Sequence, residues 1–364
     1  MGFIKIIAVV LIIAHGLIHL IGYSRSVSAK KNVESDDSIS ITEGRFWNLV
    51  TLLFVGTAIM ILTGVKSWWL IGIFAVTASQ ILIIRNWGKA KFGTIMNVFV
   101  FFWVLIQFST WNFSRTYEAD VALNLKAGEA NRDILKEEDL LHLPRIVRKY
   151  ITYTGFVGKP VVRHFRIEFD GKIRKDEQSE WMPFHSVQYN FVHNPARLFF
   201  MDAEMKHLPV AGYHRYAEGL ATMDIRLLSM IRVQYAEGRE MDIAETVTFF
   251  NDMCCMAPGT LTDDRIHWEE LDSLTVRAVF EVGDHAVSAQ LRFNQSGQLI
   301  DFISNDRFNT EAGKVMPWST PLSGYSEFNG YRLAGHAETF YHYPGKQFCY
   351  GTFETKSVLY NPTE

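Results

Sequence analysis

Four stretches without a single charged side chain, 6–24, 46–64, 67–84 and 93–111, occupy most of the first third of this chain. Each approaches the roughly 20 residues an α-helix needs to cross a hydrocarbon core about 30 Å thick. In such a core the backbone can satisfy its own polar groups only as helix or closed barrel, and runs of this length predict four membrane-spanning helices over residues 1–111. The connector Val65-Lys66 forces the second and third helices into a tight antiparallel hairpin. Trp47, Trp68, Trp69, Trp87 and Trp111 fall near the predicted helix ends, where aromatic side chains anchor at the lipid interface.

Four crossings place both chain ends and the Lys66 turn on one side, and the loops 25–45 and 85–92 on the other. Those loops carry Arg25, Lys30, Lys31, Arg45, Arg85, Lys89 and Lys91. The opposite side offers Lys5, Lys66, Arg115 and, further off, Lys126. The positive-inside rule then keeps the loops in the cytoplasm and puts the C-terminal part outside it, as an integral protein of the plasma or inner membrane. A competing reading takes Met1 to Ala29 as a cleaved signal peptide ending at Val27-Ser28-Ala29. Arg25 interrupts that approach, and removing the first helix would leave an odd number of spans.

His15 and His19 lie four residues apart, on one face of the first helix. Ionisable groups inside a membrane are costly and point to function, here a metal or haem ligand pair or a proton relay. The bland alternative is polar glue between helices, with Gln80, Asn97 or Gln107 as partners. A closed metal site asks for three or four ligands, and the spans contain no Cys, Asp or Glu to complete one.

Past residue 111 the composition shifts. The first 111 residues hold 9 of the 36 Lys+Arg and 4 of the 39 Asp+Glu, leaving 27 basic against 35 acidic residues in the remainder. An acidic remainder lacks the basic footprint of nucleic-acid binding. Residues 112–138, with Lys126-Ala127-Gly128-Glu129, read as a polar membrane-proximal linker. A short helix is expected next, with Pro144 in its first turn, Ile146, Val147, Tyr150 and Ile151 on one side, and a stop near Gly155.

From there the period becomes two. Phe165, Ile167 and Phe169 alternate with His164, Arg166 and Glu168, and Asp170-Gly171 is a strong hairpin signal. Further turns are expected at Gly283-Asp284, Ser296-Gly297 and Asn329-Gly330, between strands such as 276–282, 287–293, 299–304 and 331–341. One helix interrupts this pattern: Ile243, Val247, Phe250 and Cys254 keep helical spacing until Pro258-Gly259. Residues 139–364 therefore read as an α+β, mainly antiparallel β domain, a curved sheet or half-barrel with one packed helix.

No catalytic motif is present: there is no Gly-x-Ser-x-Gly elbow, phosphate loop, His-Glu-x-x-His or Cys-x-x-Cys, and no cofactor is implied. The pairs Asp301/Asp306 and Glu168/Asp170 fit solvated strand faces better than catalysis. His185, His193, His207 and His214 fall in one window and would suit a membrane-tethered hydrolase or metal-dependent enzyme if three of them converged. Cys254, Cys255 and Cys349 leave two readings open, a disulfide from Cys349 to one of the adjacent pair or three free thiols. The ligand candidates are Trp181, Gln188, Tyr213, Tyr216, Trp318 and Tyr325, most of them a large apolar body with a hydrogen-bonding tip. On a concave sheet they would hold an acyl chain or similar amphiphile. A structural or sensory role, with the outer domain meeting another protein, is the third class.

Leu143-Pro144 with Val147, Tyr150, Gly155 and Gly158, Trp181-x-Pro183 with Gln188, Gly212 to Gly219, Pro258 after a helix, and Pro317-Trp318 with Tyr325 together resemble an uncharacterised bacterial domain family. The resemblance covers about residues 140–360, and some members of that family carry N-terminal spans. Its β-rich pattern is similar to the half-barrel carriers of lipids and lipoproteins, the LolA and LolB type, which implies a lipid-handling fold and no known reaction. The chain departs from the family pattern at Arg332-Leu333-Ala334-Gly335, where a hydrophobic residue and Pro are expected, and at Tyr213-His214, where an acidic residue would precede the aromatic.

Overall fold

In a computed structural model, residues 3–29, 40–127, 133–206 and 208–363 are described. Lys30, Lys31, Gly128-Glu129 and His207 lie outside them. The chain divides into two compact units, Met1–Phe113 and Ser114–Glu364.

The first unit is helical. Helices α1 (Phe3–Ala29), α2 (Ile41–Leu62) and α3 (Trp68–Arg85), a short α4 (Trp87–Ala90) and the start of α5 (Gly93–Ala127) contain four segments long and apolar enough to cross a membrane. Ser40 caps α2 by accepting a hydrogen bond from the Glu43 N–H at 3.1 Å, leaving one orphan donor fewer at the helix start. Gly64 turns the α2–α3 hairpin at φ 76°, a left-handed conformation that glycine adopts without strain. Trp47, Phe54, Ala58, Ala75 and Val104 are buried between the helices, while Phe74, Phe99 and Phe102 are exposed on their outer surfaces. A helix bundle with its large apolar groups facing outward is built for a nonaqueous surround.

Helix α5 departs from expectation. It does not end near Trp111 but continues to Ala127, through most of the segment read as a linker. Phe113, Tyr117 and Val121, spaced by four, form a buried stripe along this extension. The polar residues between them masked that period. Tyr117 packs on the rings of Phe200 and Tyr213, and Asp120 accepts hydrogen bonds from the Tyr213 hydroxyl (2.7 Å) and Arg215 Nε (3.2 Å).

The second unit is organised by a 13-stranded antiparallel sheet. One half is a meander of β1 (His164–Ile173), β2 (Met182–Phe191), β3 (Ala196–Met205), β4 (Leu208–Ala217), β5 (Leu220–Leu227) and β6 (Ile231–Glu237). Helix α6 (Arg145–Thr154) precedes it and α7 (Arg239–Met256) follows. The other half contains β7 (Ile266–Glu270), β8 (Thr275–Val282), β9 (His285–Phe293) and β10 (Leu299–Ser304). It continues through the small hairpin β11 (Phe308–Asn309) and β12 (Lys314–Val315), then β13 (Trp318–Ser323). A second small hairpin, β14 (Ser326–Phe328) and β15 (Tyr331–Leu333), leads to β16 (His336–Tyr343) and β17 (Lys346–Tyr360). Pairing of β17 with β1 joins the halves into the order β6-β5-β4-β3-β2-β1-β17-β16-β13-β10-β9-β8-β7.

The connection from edge strand β6 to edge strand β7 runs through α7, which touches β3 to β6 from one end of the sheet, β9 and β10 from the other, and the separate small strand β11. A helix can reach both ends only if the sheet curls around it. Every residue of α7 from Ala244 to Met256 is buried. Helix α6 closes one side. Its predicted stripe of Ile146, Val147, Tyr150 and Ile151 is buried, the Tyr150 hydroxyl donates to the Cys254 carbonyl at 2.9 Å, and Gly155 ends it in the left-handed conformation, φ 79°. Pro144 is its N-cap rather than a first-turn residue.

The turns at Gly283-Asp284, Ser296-Gly297 and Asn329-Gly330 form as expected. Asp170-Gly171 does not turn. Strand β1 runs straight through it, with Gly171 opposite Phe184 on one side and Phe353 on the other. A Cβ there would overlap the Thr352 carbonyl and the Phe184 ring, so the glycine serves close strand approach. The chain reverses instead at Asp176, whose Oδ1 accepts from the N–H groups of Gln178 (3.0 Å) and Ser179 (2.7 Å). The strand expected over 331–341 is broken at Ala334-Gly335, where the Gly335 N–H donates to the Gly324 carbonyl at 3.0 Å. All three cysteines are free thiols; Cys254 and Cys255 are buried on α7.

Candidate functional site

Alternation along the strands sorts the predicted residues onto two faces. On β3, Arg197, Phe199 and Met201 face the concave side with α7, whereas Phe200 faces outward with its pairing partner Tyr213. Between the concave face and α7 lies a cavity of about 380 Å³. Most of its wall is apolar, from Phe169, Phe184, Phe199, Met201, Met223 and Phe353.

One side of the wall is ionic. On α7, Glu245, Thr248, Asp252 and Cys255 recur at helical spacing and line the cavity. Arg197 reaches across from β3, donating from Nη1 to Glu245 Oε2 at 3.0 Å and from Nε to Asp252 Oδ2 at 2.8 Å. Its Nη2 donates to Gln188 Oε1 at 3.1 Å, and Gln188 Nε2 donates to Asp252 Oδ2 at 2.6 Å. Asn190 Nδ2 adds a bond to the same Asp252 oxygen at 3.2 Å. His214 Nδ1 stands 3.7 Å from Glu245 Oε1. Burial pushes the Glu245 carboxyl up, but Arg197, His214 and Arg307 together outweigh it and hold Glu245 below the usual carboxylate range.

A third polar element is Arg307, just before β11. Its Nη1 donates to the Ala244 carbonyl at 2.9 Å and to the Thr248 hydroxyl, and its guanidinium lies 4.7 Å from the Trp318 ring centroid. Trp318 is held in turn by its Nε1, which donates to the Tyr350 hydroxyl at 2.9 Å. At the exposed rim, Lys175 Nζ meets Glu311 Oε2 at 3.2 Å, and Gln234 from β6 approaches the same carboxylate at 3.5 Å.

The six ligand candidates are not brought together. Gln188 and Trp318 line the cavity. Tyr216 is fully buried against α7, its hydroxyl 3.0 Å from that of Thr246. Tyr325 donates to the Leu299 carbonyl at 2.8 Å and packs edge-on against Tyr153. Tyr213 faces outward and holds the end of α5, while Trp181 lies at the surface under the Arg174 guanidinium, 4.4 Å away. Among the described histidines, only His214 lines the cavity. His185 is exposed and 2.9 Å from Asp170, and His193 is exposed past the end of β2. These three do not converge.

In the helical unit, His15 Nε2 is 2.9 Å from Asn97 Oδ1, His19 Nε2 is 2.8 Å from Ser79 Oγ, and His19 Nδ1 is 2.9 Å from the His15 carbonyl. Asn97 Nδ2 donates to Gln80 Oε1 at 2.9 Å, and Gln80 Nε2 to Thr94 Oγ1 at 3.1 Å. Asn97 and Gln80 are thus the partners expected of polar glue. Among the described residues, no group of three or more His, Cys, Asp or Glu is placed to hold a metal ion.

Sequence reasoning missed Arg197, Glu245, Asp252 and Arg307. Two signals were available. Arg197 is a lone charge in the otherwise apolar run 196–201, and Glu245, Thr248 and Asp252 give the α7 segment a second, polar stripe at helical spacing.

No curated protein matches the chain in sequence. Among solved structures it resembles a candidate outer membrane lipoprotein-sorting domain from Vibrio parahaemolyticus, with 8% identity, 54% of this chain and 85% of that one covered, and a TM-score of 0.33. A DUF1329 family protein from Desulfovibrio piger shows 9% identity over 59% and 90% of the two chains, with a TM-score of 0.33. A LolA superfamily protein from Nitrosomonas europaea shows 8% identity over 58% and 90%, with a TM-score of 0.30. Residues 133–353, which hold most of the curved sheet and of the cavity wall, match the model of DUF6544, and the chain belongs to this family of unknown function.

Proposed function

We propose that this is a membrane-anchored binding protein whose β-unit holds a lipid or other amphiphile in the cavity beneath α7. One observation carries the reading: the concave face is not filled by its own side chains. The cavity of about 380 Å³ is walled mainly by Phe, Met and Trp and has a few polar groups on one side. That size falls within the roughly 300–1,000 Å³ of small-molecule sites, and an apolar wall with few polar groups is their usual chemistry. The surplus of Lys and Arg on the loops after the first and third helices supports an extracytoplasmic β-unit, next to the lipid from which a ligand would come.

The test is titration of the full-length chain with a fluorescent fatty acid, beside an Ala337→Trp variant. Ala337 lines the cavity, so an indole there would occupy it, while partition into the lipid around the helices would be unchanged. Saturable binding that Ala337→Trp abolishes is the expected result. Equal signals from both proteins, or none from either, would refute the reading. A reporter fused after Glu364 tests the compartment, and activity only on the cytosolic side would overturn that part.

A further inference from the structure

We infer that the cavity selects an amphiphile with an anionic oxygen head, a carboxylate or phosphate, paired with Arg307 and the Thr320 hydroxyl. This deepens the binding reading above and rests on it.

Two polar groups in the cavity wall are left unmatched by the protein. Arg307 Nε is enclosed and has no hydrogen-bond partner among the described residues. The Thr320 Oγ1 is likewise enclosed and unpartnered, on a residue that is 3% exposed. Both residues line the cavity. Thr320 shares the inward face of β13 with Trp318 and Leu322, and Trp318 is the ring on which the Arg307 guanidinium stacks. The two unmatched groups therefore flank one aromatic platform. Burying a polar group without a partner is unfavourable, and such groups in a native interior call for an explanation.

The remaining charges indicate which ligand would satisfy them. Arg197 is matched by two carboxylates, Glu245 at 3.0 Å and Asp252 at 2.8 Å. Those carboxylates are committed in turn, Asp252 Oδ2 to Arg197, Gln188 and Asn190, and Glu245 to Arg197 with His214 beyond at 3.7 Å. Arg307 forms no ion pair among the described residues. Its bonds go to a backbone carbonyl and a hydroxyl, with the Tyr341 hydroxyl beside it. It is thus a buried cavity cation with no carboxylate in ion-pair contact, Glu245 acting on its charge only from beyond that distance. A guanidinium offers a planar fork of donors that matches carboxylate and phosphate oxygens, and the cation–π contact with Trp318 fixes the plane of that fork. Thr320 adds a hydroxyl that can donate to a second oxygen. The apolar wall then receives the alkyl chain.

The experiment uses the full-length chain with an uncharged, polarity-sensitive dye bound in the cavity. The dye is displaced by dodecanoic acid, dodecyl phosphate or methyl dodecanoate. A hydrogen-bonded charge pair in an enclosed site predicts that the acid displaces the dye about tenfold or more better than the ester. The phosphate arm distinguishes a phospholipid-like head from a fatty-acid head. Thr320→Val, nearly the same shape, should weaken the acid severalfold and leave the ester unchanged. Arg307→Met should bring acid and ester to the same affinity, and Arg307→Lys should restore part of the preference. Dye binding with equal displacement by acid and ester in the unsubstituted chain would overturn this inference and leave the binding reading standing. Failure of the folded chain to bind dye or any of the three amphiphiles would remove both.

Discussion

Both units bury a polar cluster, and the two clusters balance their hydrogen bonds differently. In the helical unit, His15, His19, Ser79, Gln80, Thr94 and Asn97 pair with one another or with backbone, using groups that need carry no net charge. In the β-unit, Arg197, Glu245 and Asp252 form an ionic cluster, while Arg307 Nε and Thr320 Oγ1 beside it remain unmatched. A closed set of neutral hydrogen bonds is what helix association in a membrane requires, since a spare polar group there has no water to turn to. An ionic set with unmatched members, lining a cavity, is poised for something other than protein. On the proposed reading, the first cluster is structural and the second serves recognition.

The sharpest way to break this contrast is Arg197→Met, because it strands two carboxylates that are 2% and 9% exposed. Removing one partner of a buried ion pair costs about 3–5 kcal/mol. For a unit of this size that is a fall in Tm of roughly 10 °C. Adding Glu245→Gln and Asp252→Asn should recover most of the loss, since a buried pair is close to break-even against neutral neighbours. Thermal unfolding of the single and triple variants checks both statements. A single variant as stable as the parent would mean that the cluster is not ionic.

The architecture was more legible than the site. Charge-free runs and period-two alternation are local properties, so the four apolar helices, α6, α7 and most of the strands could be read directly. Asp170-Gly171 misled because a glycine that relieves crowding between strands looks the same, in sequence, as one that turns a hairpin. What distinguishes them is Thr352, far along the chain in β17. The end of α5 misled for a related reason: Tyr117 has meaning only against Phe200 and Tyr213 on the outer face of β3 and β4. Aromatic residues were sought as ligand contacts because of their size, yet Tyr216 and Tyr325 fill the core. The polar side of the cavity rests on Arg197, Glu245, Asp252 and Arg307, whose juxtaposition is set by the pairing of distant elements.

Asp301 extends the comparison to a carboxylate outside the cavity. Its Oδ1 is enclosed without a partner, and burial, only partly offset by Arg292, raises its pKa from 3.8 to about 6. A raised acid pKa reverses the usual carboxylate behaviour. The folded chain binds the proton more tightly than the unfolded one, so this stabilisation is fully present below the unfolded value. It declines as pH rises through the interval and is gone above the folded value. Tm should therefore fall between about pH 4 and 6, with a total effect of about 2 kcal/mol after allowance for partial solvent access. Asp301→Asn should flatten that slope and be the more stable protein at neutral pH. A profile unchanged by the substitution would show that the carboxyl is solvated.

The smallest effect is expected where the balance is complete. Asn97→Leu removes the partner of His15, Ser79 and Gln80 together, yet Ser79 keeps His19 and Gln80 keeps Thr94, so of the three only the His15 ring is left without its side-chain hydrogen bond. Hydrogen bonds between membrane helices are worth about 0.6 kcal/mol on average and seldom reach 2. The variant should accordingly lose about 1 kcal/mol in a thermal assay of the full-length chain in detergent, and it should bind the cavity dye as the parent does. Loss of several kcal/mol would mean that a charge, not a neutral imidazole, sits in this cluster. Loss of dye binding with the fold intact would tie the helical cluster to recognition and end the division of roles drawn between the two units.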